Sequence, residues 1–109
     1  MMEKVERLQV EAFARGYLDH LRELLTRLDI SQIVAFVEIL LDSRERNARL
    51  FFIGNGGSAA TASHFANDID IGTLSWAKPF RAVSLTDNAA VLTAIGNDYG
   101  YDDIFVMQL

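Results

Sequence analysis

Residues 50–58 have the sequence Leu-Phe-Phe-Ile-Gly-Asn-Gly-Gly-Ser, and this stretch decides the fold. The apolar run from Leu50 to Ile53 is typical of a short buried strand. Three glycines follow within four positions, and Ser58 then precedes a run of good helix formers at 59–62. A strand, a glycine turn, an N-capping serine and a helix make up half of a βαβ unit, so the stretch predicts an α/β protein.

The same glycine turn also predicts a ligand site. Glycine lets the backbone adopt positive φ and lets a ligand approach the main chain closely. The N–H groups and the dipole at the start of the following helix favour a negative or oxygen-rich ligand. A plain strand-to-helix connection is the alternative interpretation, but it needs one glycine where this turn has three.

The composition limits the class of protein. Half of the 109 residues are hydrophobic, which indicates one small packed domain. The sequence has no cysteine, so disulfides and thiolate metal sites are excluded. A net charge of −5 argues against nucleic acid as a partner. No apolar run approaches the roughly 20 residues of a membrane span, and the N-terminus is too charged for a signal peptide. We therefore expect a cytoplasmic protein with no membrane partner.

Two long helices are predicted before the first strand, over residues 3–28 and 32–47. Apolar residues recur in both at spacings of three and four, and Asp29 or Ser31 can cap the second helix. The apolar stripes are wider than so short a chain can cover. We therefore interpret residues 1–48 as a helical arm that packs against other subunits. The alternative is a helical hairpin that covers the chain's own sheet.

The remaining residues, 49–109, predict the first part of a sheet domain. A helix is expected over 58–69, a loop over 70–79, a second strand over 80–85, a short helix over 89–95, a loop over 96–101 and a last helix from Asp102 onward. The sequence stops inside that last helix, and two strands make a poor sheet. We expect the chain to be the N-terminal part of a longer protein, cut inside a domain.

Polar side chains follow both predicted strands. Asn55 and Ser58 come after the first, and Thr86, Asp87 and Asn88 come after the second. In parallel sheets the carboxyl ends of the strands carry the ligand, so both sets can bind the hydroxyls of a sugar. For Thr86 and Asn88 the equally good alternative is that they only cap the next helix.

His64 and Asp68 are four residues apart on the predicted helix, so their side chains are neighbours. Such a pair can bind a metal, or it can supply a proton-transferring carboxylate oriented by an imidazole. An ion pair on a solvated helix face is the ordinary alternative. The pair lies on the helix that begins at the glycine turn, which favours a functional role.

A dinucleotide site is not expected. Gly54-x-Gly56-x-x-Ala59 fits the loose dinucleotide pattern, which requires an acidic residue about 20 positions later at the end of the second strand. The second strand ends at Ser84-Leu85-Thr86, and Asp87 lies too far along. We therefore predict no nucleotide cofactor.

Several blocks of the sequence, in order, resemble the sugar isomerase (SIS) domain of phosphoheptose isomerases. The blocks are GNGGS at 54–58, HFA at 64–66, SLTDN at 84–88, LTAIGNDYG at 92–100, IF at 104–105 and QL at 108–109. The resemblance covers nearly the whole chain. It implies an SIS-type, flavodoxin-like, doubly wound parallel sheet preceded by two N-terminal helices, assembled as a homotetramer.

The resemblance also implies an activity and a set of site residues. The activity is the interconversion of sedoheptulose 7-phosphate and D-glycero-D-manno-heptose 7-phosphate through an enediol. Asp68 takes the position of the family's catalytic base, with His64 beside it, and both are implied as metal ligands because some members bind zinc. The implied substrate-binding residues are Asn55, Gly56, Gly57, Ser58, Asp87, Asn97 and Asp98.

The sequence departs from the family pattern at two points. The family's base is a glutamate, and Asp68 is one methylene shorter, so its reach must be made up elsewhere. The family's phosphate loop, its general-acid histidine and a nearby glutamine fall beyond residue 109. We therefore expect residues 1–109 alone not to catalyse isomerisation. A non-catalytic SIS domain that binds sugar phosphate as a regulator or scaffold is the second hypothesis.

Overall fold

The computed structural model describes residues 4–109 and begins with two helices, α1 (Lys4–Thr26) and α2 (Ile30–Glu45). Both predicted helices are confirmed within a few residues, while the predicted start at Glu3 lies outside the described residues. Asp29 precedes α2, and its Oδ1 accepts hydrogen bonds from the hydroxyl (2.6 Å) and the backbone N–H (2.9 Å) of Ser31. These bonds, the one from the hydroxyl first, hold the pKa of the Asp29 carboxyl below its usual range.

The chain divides into two compact units, of which the first extends to Ala35 and the second is Phe36–Leu109. In the first unit α1 carries large apolar side chains that are exposed, among them Phe13 at 75% and Leu18 at 62%. The second unit contains the C-terminal part of α2 and everything after it. The sequence-based division at residue 48 stays a prediction about assembly.

The second unit is built on two parallel strands, β1 (Leu50–Phe52) and β2 (Ala82–Ser84). Their register pairs Leu50 with Ala82 and Phe52 with Ser84. Both strands are shorter than predicted, but their positions and their parallel pairing confirm the βαβ unit. Parallel neighbours require a crossover connection, and a long helix provides it here.

That crossover helix is α3 (Gly57–Thr73), and it covers one face of the two strands. Ala62 and Ala66 lie on the face of α3 that meets the strands, and both are buried. Their small side chains let the helix approach the sheet closely. Phe65 packs edge-on against Phe52, with 5.0 Å between ring centroids. The helix was predicted to end near residue 69, but it continues for another turn to Thr73.

The opposite face of the two strands carries Phe51, Ile53 and Val83, which are each between 42% and 56% exposed. Side chains of successive strand residues point to opposite faces, so this apolar row is the counterpart of the row beneath α3. Two apolar faces are typical of parallel strands in α/β proteins, in which helices cover both faces of the sheet.

After β2 the chain forms α4 (Ala89–Asp98) and two 3₁₀ turns, Tyr101–Asp103 and Val106–Gln108. The prediction that a loop begins at Gly96 is wrong, because α4 continues to Asp98. The predicted last helix is also wrong in kind. Instead of a continuous helix, the Gln108 side-chain amide donates to the carbonyl oxygens of Leu85 (3.1 Å) and Ile104 (2.6 Å), which holds this segment against the end of β2.

Candidate functional site

The glycine turn connects β1 to α3 and begins the candidate site. Gly56 is the N-cap of α3 with φ 55° and ψ −123°, a backbone conformation that favours glycine. The turn is closed by the N–H of Ser58, which donates to the carbonyl oxygen of Asn55 at 3.0 Å. The prediction that Ser58 caps the helix is therefore wrong. Ser58 lies within the first turn of α3, after Gly57, and its side chain is exposed.

Asn55 and Gly56 line a cavity of about 440 Å³ beside the turn. The rest of its lining comes from the start of α3, from α4 and from the segment after α4: Gly54, Ala59, Leu92, Thr93, Gly96, Tyr101, Ile104 and Phe105. Small-molecule sites typically have this size and this combination of apolar walls with a few polar groups. The cavity lies at the carboxyl end of β1, where α/β proteins bind ligands.

Ser58 does not line that cavity. It faces a separate hollow of about 370 Å³, formed with Phe36, Phe52, Ile53, Thr61, Ala62 and Phe65. The four residues of the turn that were predicted to bind substrate are therefore adjacent along the chain, but they do not all open onto one pocket.

The predicted His64–Asp68 pair is formed. Nε2 of His64 lies 3.3 Å from Oδ2 of Asp68, and the two side chains are 77% and 60% exposed. Solvent screens an exposed pair of this kind, so it contributes little to stability. Both groups remain accessible to a ligand.

The same pair supplies a nitrogen and an oxygen donor, which suits zinc chemically. Zinc sites in proteins usually have four ligands. Within residues 4–109 no group of three or more His, Cys, Asp or Glu side chains is placed to hold a metal ion. The pair therefore supplies two of the four ligands that a zinc site usually has.

Asp87 follows β2 and is held by the hydroxyl of Ser63, a residue of α3 that the sequence analysis did not single out. Thr86 belongs to the same hydrogen-bonded group, with its Oγ1 2.9 Å from Oγ of Ser63. Asn88 instead caps α4, because its Oδ1 accepts the N–H of Val91 at 3.1 Å. Capping was the alternative predicted for both Thr86 and Asn88. The structure confirms it for Asn88 and not for Thr86.

Asn97 and Asp98 are the last two residues of α4, and both are exposed. Nδ2 of Asn97 donates to Oδ1 of Asp98 at 2.8 Å. Neither residue lines the cavity beside the glycine turn, although their neighbour Gly96 does. Their assignment to the substrate site stays a prediction.

Sequence reasoning missed most side chains that line the cavity, among them Thr93, Tyr101 and Phe105. Thr93 is on the face of α4 that meets the glycine turn, and Tyr101 begins the 3₁₀ turn that closes the cavity. An aromatic residue next to a glycine in the 96–101 segment was the available signal, but it does not indicate which element the ring will face.

No helix within residues 4–109 combines the length and the hydropathy that a membrane span requires.

Comparison with known proteins places these features in a family. The SIS domain family matches residues 16–109. A phosphoheptose isomerase of Geobacter sulfurreducens is 46% identical over 88 residues, which cover 80% of this chain and 46% of that protein. A phosphoheptose isomerase of Campylobacter concisus is 32% identical over 108 residues, which cover 99% of this chain and 54% of that protein.

A solved structure gives the same result for the fold. Phosphoheptose isomerase GmhA from Neisseria gonorrhoeae superposes with a TM-score of 0.76 at 33% sequence identity, covering 94% of this chain and 52% of that chain. The resemblance and the fold class deduced from the sequence are confirmed. The chain spans about half the length of the relatives that it matches.

Proposed function

The chain belongs to the SIS domain family, and we propose that the protein interconverts sedoheptulose 7-phosphate and D-glycero-D-manno-heptose 7-phosphate. The relatives described above carry the name phosphoheptose isomerase and are 32% and 46% identical to this chain over the aligned residues. The observation that carries the proposal is the exposed carboxylate of Asp68 beside His64, on the helix that begins at the glycine turn.

In the proposed reaction Asp68 removes a proton from the carbon next to the carbonyl group of the sugar. The electron pair of that C–H bond becomes the double bond of an enediol, and the carbonyl oxygen becomes a hydroxyl group by taking a proton from a general acid that residues 4–109 do not supply. Asp68 then returns its proton to the former carbonyl carbon, while the other enediol hydroxyl gives its proton back to that acid and becomes the new carbonyl group. One positioned base of this kind contributes about 10²–10⁴-fold to the rate.

His64 and the glycine turn have supporting roles. His64 holds the Asp68 carboxylate through the 3.3 Å contact. Asn55, Gly56 and Gly57 present backbone N–H groups at the N-terminal end of α3, where the helix dipole favours oxygen-rich ligands, and Asn55 and Ser58 add their side chains. Asp87, Asn97 and Asp98 complete the proposed set of groups that bind sugar hydroxyls.

Zinc is the metal that the pair would hold, with His64 and Asp68 as two of its ligands. When bound, zinc would supply a Lewis acid that polarises an oxygen of the sugar. The chemistry of the two donors supports this proposal, and the remaining ligands must come from outside residues 4–109.

Assembly is proposed as a homotetramer in which the helical arm, residues 1–48, packs between subunits. The exposed apolar side chains of α1 support this arrangement, because surfaces of this kind usually mark contacts with other protein. We also propose that the protein works in the cytoplasm, since a charged sugar phosphate does not cross membranes unaided.

A non-catalytic domain that binds sugar phosphate is the second candidate. The identity of residue 68 gives one argument for this candidate. The aspartate side chain reaches less far than the glutamate that the family resemblance implies at this position. A retained carboxylate favours the enzyme, since binding alone does not need a proton acceptor at this place.

The variant Asp68→Asn, made in the protein as its gene encodes it, separates the two candidates. The amide has nearly the same shape but accepts no proton, so we expect isomerase turnover to fall by about 10²–10⁴-fold while sugar phosphate still binds. The matched control is Asp42→Asn, which removes an exposed carboxylate of α2 that pairs with Arg46, just after the helix. Turnover that is unchanged in Asp68→Asn would remove Asp68 from the mechanism, and no turnover in the unsubstituted protein would favour the binding domain.

A further inference from the structure

Four polar side chains form a hydrogen-bonded cluster between α3 and the end of β2. Ser63 lies on α3, and Ser84, Thr86 and Asp87 lie on β2 and the turn that follows it. Oγ of Ser84 is 2.6 Å from Oγ1 of Thr86, which is 2.9 Å from Oγ of Ser63. Ser63 in turn contacts Oδ1 of Asp87.

The number of available protons determines which groups in this cluster donate hydrogen bonds and which accept them. Each hydroxyl has a single proton to donate, whereas an ionised carboxylate only accepts. The Ser63 hydroxyl has two acceptors within reach, the carbonyl oxygen of Ala59 and the carboxylate of Asp87, and the charged carboxylate is the stronger one. Oγ of Ser63 can at the same time accept a hydrogen bond from Thr86. Bonds from a hydroxyl to a charged oxygen are stronger than bonds between neutral groups. The contact between Ser63 and Asp87 is thus the strongest member of the cluster.

Ser63 and Asp87 differ in how they are placed. Ser63 is half-buried on the sheet side of α3, next to the carbonyl oxygen of Ala59 at 3.1 Å, whereas Asp87 is exposed. Among the described residues, Oδ2 of Asp87 has no hydrogen-bond partner. One oxygen of the carboxylate is therefore held by α3 while the other is left to accept a hydrogen bond. The side chain lines a hollow of about 340 Å³ together with Ser63, Asn67 and Asp70, which is separate from the cavity that Asn55 and Gly56 line.

We propose that Ser63 is a positioning residue that holds the Asp87 carboxylate ready to accept a hydrogen bond from a hydroxyl of the bound sugar. This inference rests on the proposed function, because it takes the ligand to be a sugar phosphate. It adds a residue that the family resemblance does not assign and that touches no substrate itself.

The attachment of α3 to β2 does not depend on Ser63. Oγ1 of Thr86 also lies 3.2 Å from the carbonyl oxygen of Ala59, so without the Ser63 hydroxyl its single proton can be donated there and join the strand end to α3. The N–H of Thr86 donates to Oγ of Ser84 at 3.2 Å. Removing the hydroxyl of Ser63 should therefore free the carboxylate of Asp87 while leaving the helix and the strand joined.

The test is Ser63→Ala in the protein as its gene encodes it, with sedoheptulose 7-phosphate as the probe. Loss of a positioned binding group raises KM and leaves kcat nearly unchanged. We expect KM, and the dissociation constant measured by calorimetry, to rise by about three- to tenfold, with kcat within about twofold and an unchanged melting temperature. Ser63→Thr retains the hydroxyl and should restore most of the affinity.

Two further variants make the result specific. In an Asp87→Ala background, Ser63→Ala should change the dissociation constant by less than about twofold, because interacting residues show coupled effects. The control Thr26→Ala removes an exposed hydroxyl that donates to the carbonyl oxygen of Glu23 at 2.7 Å within α1, and it should leave affinity unchanged.

Three outcomes would overturn the proposal. A lower melting temperature with unchanged affinity would make Ser63 a purely structural residue. An equal loss of affinity with and without Asp87 would show that Ser63 does not act through it. Absence of binding by the unsubstituted protein would overturn this proposal and the proposed function together. If the unsubstituted protein binds the sugar phosphate without isomerising it, only the proposed function fails, and the calorimetric comparison still decides the role of Ser63.

Discussion

A Cβ atom on residue 54 would lie 2.3 Å from the backbone carbonyl oxygen of Ser58, so Gly54 packs directly against the first turn of α3. Its φ is not in the left-handed region, and the requirement for glycine here is one of space. The contact fixes how closely α3 follows β1, and it therefore sets the shape of the turn on which Asn55 and Gly56 lie.

Gly54→Ala should destabilise the fold, because the atoms that the new methyl group would meet belong to the backbone and cannot rotate away. We expect a loss of about 1–3 kcal/mol in the free energy of unfolding, measured by urea denaturation. Gly72→Ala is the matched control within α3, since a methyl group at that position would meet no atom within 4 Å outside its own helix turn. It should gain about 0.4–1 kcal/mol. Equal effects of the two substitutions would contradict the steric account.

Asp70→Ala should destabilise the start of β2. Oδ1 of Asp70 accepts the backbone N–H of Ala82 at 2.7 Å, and Ala82 is buried. Loss of the acceptor leaves that N–H unpaired, which costs about 1–3 kcal/mol in the free energy of unfolding. Asp70→Asn keeps an acceptor oxygen and should lose less than half as much in the same urea titration. An equal loss for both variants would show that the charge matters and the hydrogen bond does not.

The double variant Leu21→Glu with Leu25→Glu should convert the proposed homotetramer into smaller and less stable species. Both side chains belong to the apolar stripe of α1, and they are 39% and 58% exposed in the chain. The new carboxylates in an apolar contact would have to be desolvated. Light scattering gives the mass of the particle, with Gln9→Glu plus Thr26→Glu as a control that adds the same charges at polar positions. An unchanged mass in the leucine variant would rule out this role for α1.

The backbone of the site could be predicted from local sequence. Leu50 to Phe52 form a strand because the run is apolar and glycines follow it closely, and Gly56 provides the positive φ that the turn requires. The spacing of His64 and Asp68 predicts their contact, because residues four apart on a helix are neighbours wherever the helix lies. These features depend only on residues close together in the chain.

Element ends could not be predicted in the same way, because contacts from distant residues determine them. Asp70 and Gly72 indicated a loop, yet α3 continues through them. The Thr73 hydroxyl donates to the carbonyl oxygen of Ile69 and accepts the backbone N–H of Phe80. The end of α3 is therefore hydrogen-bonded to the segment that leads into β2. The predicted last helix failed for the same reason, since Gln108 bonds to Leu85.

The cluster at Ser63 shows the same limit for the site. A serine in mid-helix has no local feature that predicts a partner 24 residues away at a strand end. The register of β1 and β2 and the approach of α3 place Asp87 opposite it, and only the folded arrangement shows this. The same holds for Tyr101 and Phe105, whose position beside the glycine turn depends on how the chain returns after α4.

The most direct test of the central claim is isomerisation carried out in D₂O, followed by NMR of the product. A proton held by a carboxylate that is 60% exposed exchanges with the solvent, so an enediol reaction at Asp68 should place deuterium on the carbon that receives the proton. We expect deuterium in the product formed by the unsubstituted protein and a loss of product of about 10²–10⁴-fold with Asp68→Asn. Equal amounts of product with equal deuterium content from both proteins would contradict the account.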